Sequence, residues 1–492
     1  MSYTVRGLFS AANVVFGMAL LAGPAYGQSV TVQQVEAFTN SPTNTNYAPV
    51  NFNGSATATS GSYPGITFHA QANTTDTVSG HAGDVANSFY GSASVAQPYV
   101  TTVYAQSANN FLNGLNVQLD NGPSQPLPSG IGNGVRVSNH SYVGGSGNAM
   151  IEENIIRRID YVVHSEDVVF VAGAVTGAGV FTNNNLVWAS RNALSVRGDS
   201  AGSPFNPTAN TITAGKQRAD VWSDDLSSYA TGRVSGFATA LIGQATSLGL
   251  ANATRNQVVR SLVLTGADKS AVGSVTGPWT RDTANNLSTT LGAGKANYAQ
   301  SLSILQSGER AIQTVSGGTT ANVVSSSLKG FAFGTSTTGQ QAIVINAPNG
   351  ISTLTATLAW NVTQQTTGGV SIDTSDAGRV FANLALELRT ATFSNGQYVL
   401  GAAALSQTGL SSDAALDNAE HLYFAGAGGS LPAGTYAFVI TGDPSRIAEI
   451  GFSYNIVPVP EPVGCLALLP VALLFLKRRR PQVSVSLRVA AV

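Results

Sequence analysis

Charge is scarce in this chain. Of 492 residues only 10% are Asp, Glu, Lys or Arg, and these nearly cancel to a net charge of −1. No basic stripe lies outside the extreme C-terminus, so the composition does not support nucleic acid as a partner. Cysteine is almost absent. The single Cys465 sits in the C-terminal tail, which excludes a disulfide framework and thiol chemistry from the body of the protein. The five histidines are scattered without the spacing of a zinc site. No metal and no cofactor is expected, and calcium on the acidic pair Asp224 and Asp225 is the one alternative, such pairs in loops usually being solvated. What is abundant is Gly, Ser, Thr, Asn and Ala, a composition suited to a surface solvated by hydroxyls and amides.

The two ends carry addresses. Arg6 precedes an uncharged apolar run, residues 8–23, that closes on Ala25-Tyr26-Gly27. A basic start, a short apolar core and small residues two apart form the pattern of a secretory signal peptide, residues 1–27, cut before Gln28 by signal peptidase. At the other end, Val459-Pro460-Glu461-Pro462 leads into the apolar stretch 463–476 and then Lys477-Arg478-Arg479-Arg480. A stretch of about 14 residues falls short of the ~20 that cross a bilayer comfortably, and the basic cluster holds its far end in the cytoplasm. The order of these parts over 459–480 resembles the PEP-CTERM sorting signal of Gram-negative bacteria; residues 481–492 form a further tail. The resemblance implies handling by an exosortase, membrane attachment through this segment before processing, and export to the cell envelope or extracellular matrix. The alternative is a plain C-terminal anchor.

Between the ends lie about 430 residues, enough for two domains. In the first, 28–310, apolar runs at 135–137, 168–172 and 194–196 read as buried strands, and 151–163, 228–248 and 256–265 as helices. That alternation predicts a parallel α/β sheet with helices on both faces. In the second, 318–457, strand-like runs at 342–345, 353–359, 382–388, 398–402 and 435–440 are separated by Gly, Asn and Pro. They predict an antiparallel β-sandwich, each strand with one face in the core and one in water.

The candidate chemistry sits in two segments of the first domain, Gly80-His81-Ala82-Gly83 and Ser227-Ser228-Tyr229-Ala230-Thr231-Gly232-Arg233-Val234-Ser235-Gly236. In each, a reactive side chain stands where a run of small residues begins, the composition of a tightly packed helix. Upstream, the strand pattern 30–37 brings Glu36 to its end, although Gln33 and Gln34 interrupt its apolar character. Acid, imidazole and hydroxyl in that chain order can form a nucleophilic triad. Serine attacks only when an imidazole takes its proton, and a carboxylate must orient that imidazole and stabilise its cation. The competing reading of Glu36 is a solvated strand end. His69, His140, His164 and His421 read as loop or packing residues.

The chain resembles the subtilisin-like serine proteases. The Ser228 segment is similar to their Gly-Thr-Ser-x-Ala-x-Pro-x-Val-x-Gly helix, and Gly80-His81-Ala82-Gly83 to their His-Gly-Thr-His segment. Asn139-His140-Ser141-Tyr142 resembles a cleft-lining Asn-x-Ser-Trp, and Arg218-Ala219-Asp220-Val221 the stretch before the nucleophile. The resemblance implies a subtilisin-like fold, with Ser228 as nucleophile, His81 as base and Glu36 as acid, acting on extracellular protein or peptide. It also departs from the family. Gly232 replaces the helix proline, bulky Leu226 flanks the nucleophile, and the oxyanion asparagine is missing, leaving Thr176 as the one hydroxyl near its place. Two functions therefore stand side by side: a secreted serine endopeptidase, weakened, or a catalytically inactive subtilase-fold envelope or matrix protein with a binding role.

Overall fold

A computed structural model describes residues 29–37, 47–53, 55–71, 78–115, 124–142, 144–145, 148–174, 187–199, 216, 218–274, 277–281, 283–373, 379–414, 417–426 and 429–460. The expected signal peptide, the sorting segment from Glu461 onward, the tail and Thr176 lie outside the described residues.

The first half is built on an eight-stranded sheet. In chain order its members are β1 (Val30–Glu36), β2 (Thr57–Ser60), β3 (Tyr63–Gln71) and β4 (Val100–Ser107), then, after the outlying β5 (Ser124–Pro126), β6 (Val137–His140), β7 (Val169–Gly173), β8 (Leu194–Asp199) and β9 (Val221–Asp224). Their spatial order is β2-β3-β4-β1-β6-β7-β8-β9, parallel throughout except for the β2–β3 hairpin. The chain leaves β1 toward one side of the sheet and later crosses from β4 to the other. The switch between β1 and β6 is where such a sheet opens a crevice at the carboxyl ends of its strands.

Helices cover both faces. In β7, Val169 and Val171 pack into one apolar cluster while Phe170 and Ala172 pack into another. The first cluster is capped by α1 (Gly80–Phe89), then by three later helices, numbered after α2 (Ala108–Gly114) and α3 (Ala149–Glu166): α4 (Ser227–Ser247), α5 (Asn256–Thr265) and α6 (Tyr298–Gln306). The second cluster is capped by α2 and α3. The helix patterns 151–163, 228–248 and 256–265 fall on α3, α4 and α5 to within three residues at each end. The strand at 135–137 lies further along, at Val137–His140.

The small residues of α4 have a packing role. A Cβ on Gly232 would come 2.9 Å from the Val85 carbonyl oxygen, and one on Gly236 2.8 Å from that of Phe89. Their spacing of four puts both on one helix face, so the backbones of α1 and α4 cross in near contact. This explains Gly232: the site against α1 leaves no room for a larger ring.

The second half consists of antiparallel sheets. One runs Lys329–Thr335, Glu449–Pro458, Ile351–Trp360, Ala419–Ala425; the other runs Gln313–Thr314, Gln340–Ala347, Gly434–Thr441, Ala385–Ser394, Gln397–Leu400, Thr319–Thr320, with Ser411–Ser412 paired to Ala385–Ser394. Leu354, Leu358 and Phe452 of the first share an apolar cluster with Ile343, Leu386 and Phe438 of the second. The run 382–388 is displaced, its strand being Ala385–Ser394.

One expectation fails in the first of these sheets. The face of Ile351–Trp360 assigned to water is buried, with Thr355, Thr357 and Ala359 at 7%, 0% and 0% exposure, because α5 lies across it. Thr265 Oγ1 donates to Thr357 Oγ1 at 2.8 Å and accepts from Ser453 Oγ at 2.7 Å. A Cβ on Gly451 would meet the Gln257 carbonyl carbon at 2.4 Å. The hydroxyls that read as a wet face are spent on a helix from the other half of the chain.

A buried ionic seam reinforces that junction. Asp220 receives Lys216 Nζ at 2.5 Å and Arg218 Nη1 at 2.6 Å, and Arg218 Nη2 reaches Asp417 at 2.8 Å. Burial works against the Asp220 charge, but Lys216, Arg218 and Arg260 outweigh it and hold its carboxyl below the usual range. Asn192 accepts from Val362 N–H and Asn418 Nδ2 and donates to the carbonyls of Asp160 and Val362. Lys216, Arg218 and Asp220, all buried, thus place charge where the two halves meet.

Candidate functional site

Glu36 ends β1 at the switch point and is fully buried, which contradicts the solvated reading of this residue. Gln34, two residues earlier on the same strand face, fixes the surroundings. Its Nε2 donates to Glu36 Oε1 at 3.0 Å and to the Ala82 carbonyl at 2.9 Å, while its Oε1 accepts from the buried Tyr90 hydroxyl. The glutamine that interrupts the apolar pattern therefore ties the end of β1 to the first turn of α1. Gln33, on the opposite face, donates to Gln71 and Gln106 at 2.6 and 2.7 Å and accepts from Ser138 at 2.7 Å, a polar ladder across β3, β4, β1 and β6.

α1 begins at Gly80 behind an N-cap, Ser79, whose side chain accepts from Ala82 N–H. His81 thus leaves the helix at its first turn, and its Nδ1 lies 2.8 Å from Glu36 Oε2. The hydrogen bond to Glu36 holds the His81 pKa above its ordinary value, with partial burial opposing. Burial raises the Glu36 pKa, and the His81 hydrogen bond works against that rise. The His81 side chain remains 37% exposed.

α4 starts directly after β9 at the same end of the sheet. Its first intrahelical bond is Ala230 N–H to the Leu226 carbonyl, which leaves the N–H groups of Ser228 and Tyr229 outside the helical ladder. Ser227 turns inward, donating to the Ala174 carbonyl at 2.9 Å beyond β7. Ser228 is half-buried and exchanges two hydrogen bonds with the loop after β6: its Oγ donates to the Ser141 carbonyl at 3.3 Å, and Ser141 Oγ donates to the Ser228 carbonyl at 3.0 Å. Among the described residues no hydrogen bond joins Ser228 to His81. Tyr229 bridges the two helices, its ring centroid 6.2 Å from that of His81 and its hydroxyl donating to Asp84 at 3.0 Å.

Other expectations divide. Leu226 is half-exposed at the helix N-cap and makes no side-chain cap. Asn139, Ser141 and Tyr142 of the segment expected to help line a cleft are buried; Asn139 donates to Ser235 Oγ at 2.9 Å and so anchors α4. His140 is stacked on Phe170 at 3.8 Å and held neutral by burial, a packing histidine as read. Asp224 and Asp225 are engaged by Lys295 and Arg233 at 2.7 and 2.5 Å. Among the described residues no group of three His, Cys, Asp or Glu side chains could hold a metal ion. Sequence reasoning missed Gln34 and Tyr229, and the only signal for Gln34 was its conflict with the strand pattern.

The molecule is thus an α/β protein with a predominantly parallel sheet, joined to antiparallel sheets, with a buried carboxylate bonded to a part-exposed imidazole and a helix-start serine at one sheet end. No model of a known protein family matches the chain, and no curated protein matches it. Solved structures that align with the chain include proteases, at low identity and low TM-score. The patellamide maturation protease PatA is 16% identical over 57% of this chain and 98% of its own, with a TM-score of 0.36. A lanthipeptide protease is 12% identical over 57% and 90%, with a TM-score of 0.36. Tripeptidyl peptidase 2 is 10% identical over 78% of this chain and 41% of its own, with a TM-score of 0.31.

Proposed function

We propose that this chain is an exported subtilisin-like serine endopeptidase in which Ser228 is the nucleophile, His81 the general base and Glu36 the acid. The observation that carries the reading is the 2.8 Å pair between His81 Nδ1 and a fully buried Glu36. A carboxylate buried at a strand end gains nothing for stability unless it meets a partner, and here the partner is an imidazole with its other nitrogen left for work. Ser228, turned from the Ser141 carbonyl toward His81, would pass its proton to Nε2 as Oγ bonds to the peptide carbonyl carbon. The N–H of Ser228 and the positive end of α4 meet the charge that develops on the oxygen. His81 then returns the proton to the departing amine, and water repeats the sequence on the acyl-enzyme. No metal or cofactor enters this chemistry. Thr176 is proposed as a second, weaker oxyanion donor; losing one full donor costs about 10²–10³ in turnover.

Further parts of the reading rest on the sequence. Residues 1–27 direct export and 459–480 direct exosortase sorting and transient membrane attachment, which puts the protein in the envelope or matrix of a Gram-negative bacterium with extracellular polypeptide as substrate. The apolar cluster shared by the two antiparallel sheets supports a β-sandwich over 318–457.

A second reading has its own support. Ser228 Oγ is held by the Ser141 carbonyl and not by His81, as in a scaffold that binds without cutting. Unbound sites often tighten only around substrate, so the two readings separate by experiment. Purified protein incubated with denatured casein should release fragments, and the Ser228→Ala variant none. Equal cleavage by both, or none by either, rejects the endopeptidase.

A further inference from the structure

We propose that a cavity at the opposite end of the parallel sheet binds a small neutral carboxamide, a peptide bond or side-chain amide with an aliphatic group beside it. The cavity measures about 200 Å³ and lies where the last turn of α3 and the first turn of α5 meet the antiparallel half. His164 lies 15 residues along α3 from Ala149, about 22 Å from the end of the sheet that carries His81. The site is therefore separate from the proposed catalytic one.

Its walls hold polar atoms that no group among the described residues meets. Asn361 is 4% exposed and lines the cavity with both Oδ1 and Nδ2 unpartnered; Gln257, 1% exposed, adds an unpartnered Oε1, and His164 an unpartnered Nδ1. Buried polar groups in native proteins are nearly all hydrogen-bonded, so a concentration of such atoms on one cavity marks a place built to meet something. Asn361 offers one donor and one acceptor side by side, whichever way its amide is turned. The group that satisfies both at once is another amide, with a second N–H reaching Gln257 Oε1. A carboxylate would set its oxygens against Oδ1 and Oε1, and an ammonium would leave Nδ2 unmet. No free charge invites an ion: Glu449 on the wall is paired with Arg255 at 2.8 Å, and burial holds the His164 pKa below its ordinary value. Val380, Ala382 and the exposed Ile447 supply the apolar side.

The test is a ligand-observed NMR titration of the purified protein with isovaleramide, isovalerate and methyl α-glucoside. Isovaleramide should bind at least tenfold tighter than the other two, and Asn361→Leu should weaken it at least tenfold. Binding of isovalerate or the glucoside as tight as that of the amide overturns the proposal. So does the absence of binding by any probe up to about 50 mM, the outcome expected of a cavity filled by water alone. Should Asn361→Leu fail to fold in a thermal melt, Gln257→Leu takes its place, and the ranking of the three probes on the wild type decides by itself.

Discussion

Replacing Glu36 by glutamine changes one atom and is expected to reverse the His81 tautomer. Glu36 accepts twice, from Gln34 Nε2 at 3.0 Å and from His81 Nδ1 at 2.8 Å. A glutamine there must turn its NH₂ toward one of them. It cannot face Gln34, whose Nε2 already donates to the Ala82 carbonyl and whose Oε1 is held by Tyr90, so Gln34 has no freedom to flip. The new NH₂ therefore faces His81, Nδ1 becomes an acceptor, and the proton moves to Nε2. That nitrogen is the one required to take the Ser228 proton. Turnover should fall by about 10⁴, the loss seen when a triad carboxylate is amidated, with little change in KM. Because the Glu36 hydrogen bond is the main cause of the raised His81 pKa, the imidazole titration followed by NMR should shift downward in the same variant. Volume is conserved and no buried charge is stranded, so thermal stability should hold. Turnover within tenfold of wild type, or an unmoved His81 titration, would refute the assignment.

Three further outcomes follow from the packing. Gly236→Val places side-chain atoms where the Phe89 carbonyl of α1 already sits; denaturant melts should show a loss of about 1–3 kcal/mol, and activity should fall further as α1 and α4 separate. The raised folded-state pKa of His81 means that its contribution to stability is complete below its ordinary value of 6.5 and is lost as pH rises through the elevated one. The stability advantage of wild type over His81→Gln should accordingly shrink from pH 6 to pH 8 in thermal melts, and an advantage that grows contradicts the pairing. Arg218→Met leaves Asp417 without its guanidinium and Asp220 with Lys216 and the charge of Arg260. Breaking a buried pair in this way costs about 3–5 kcal/mol, visible as a lower Tm.

What the sequence made legible is what local pattern encodes. α5 at Asn256–Thr265 has the predicted bounds because its apolar period runs unbroken. Glu36 was singled out because chain order placed an acid ahead of His81 and Ser228. Its burial was not legible, since the partners that satisfy it, Gln34 and His81, turn inward only once β1 and α1 are docked. Gln33 and Gln34 looked like defects in a strand for the same reason: apart from Glu36, their hydrogen-bond partners lie 38–105 residues away. The second face of Ile351–Trp360 was misread because threonine in a strand looks the same whether water or Thr265 of α5 meets its hydroxyl. Long-range satisfaction of polar groups leaves no periodic trace.

The central claim is that Ser228 is an activated nucleophile, and reaction with a fluorophosphonate tests it most directly. Intact-mass analysis of the wild type should show one adduct, mapped by peptide digestion to Ser228, with labelling abolished in Ser228→Ala and strongly slowed in His81→Ala. A wild type that takes up no label, or a Ser228→Ala variant that still labels, would contradict the account.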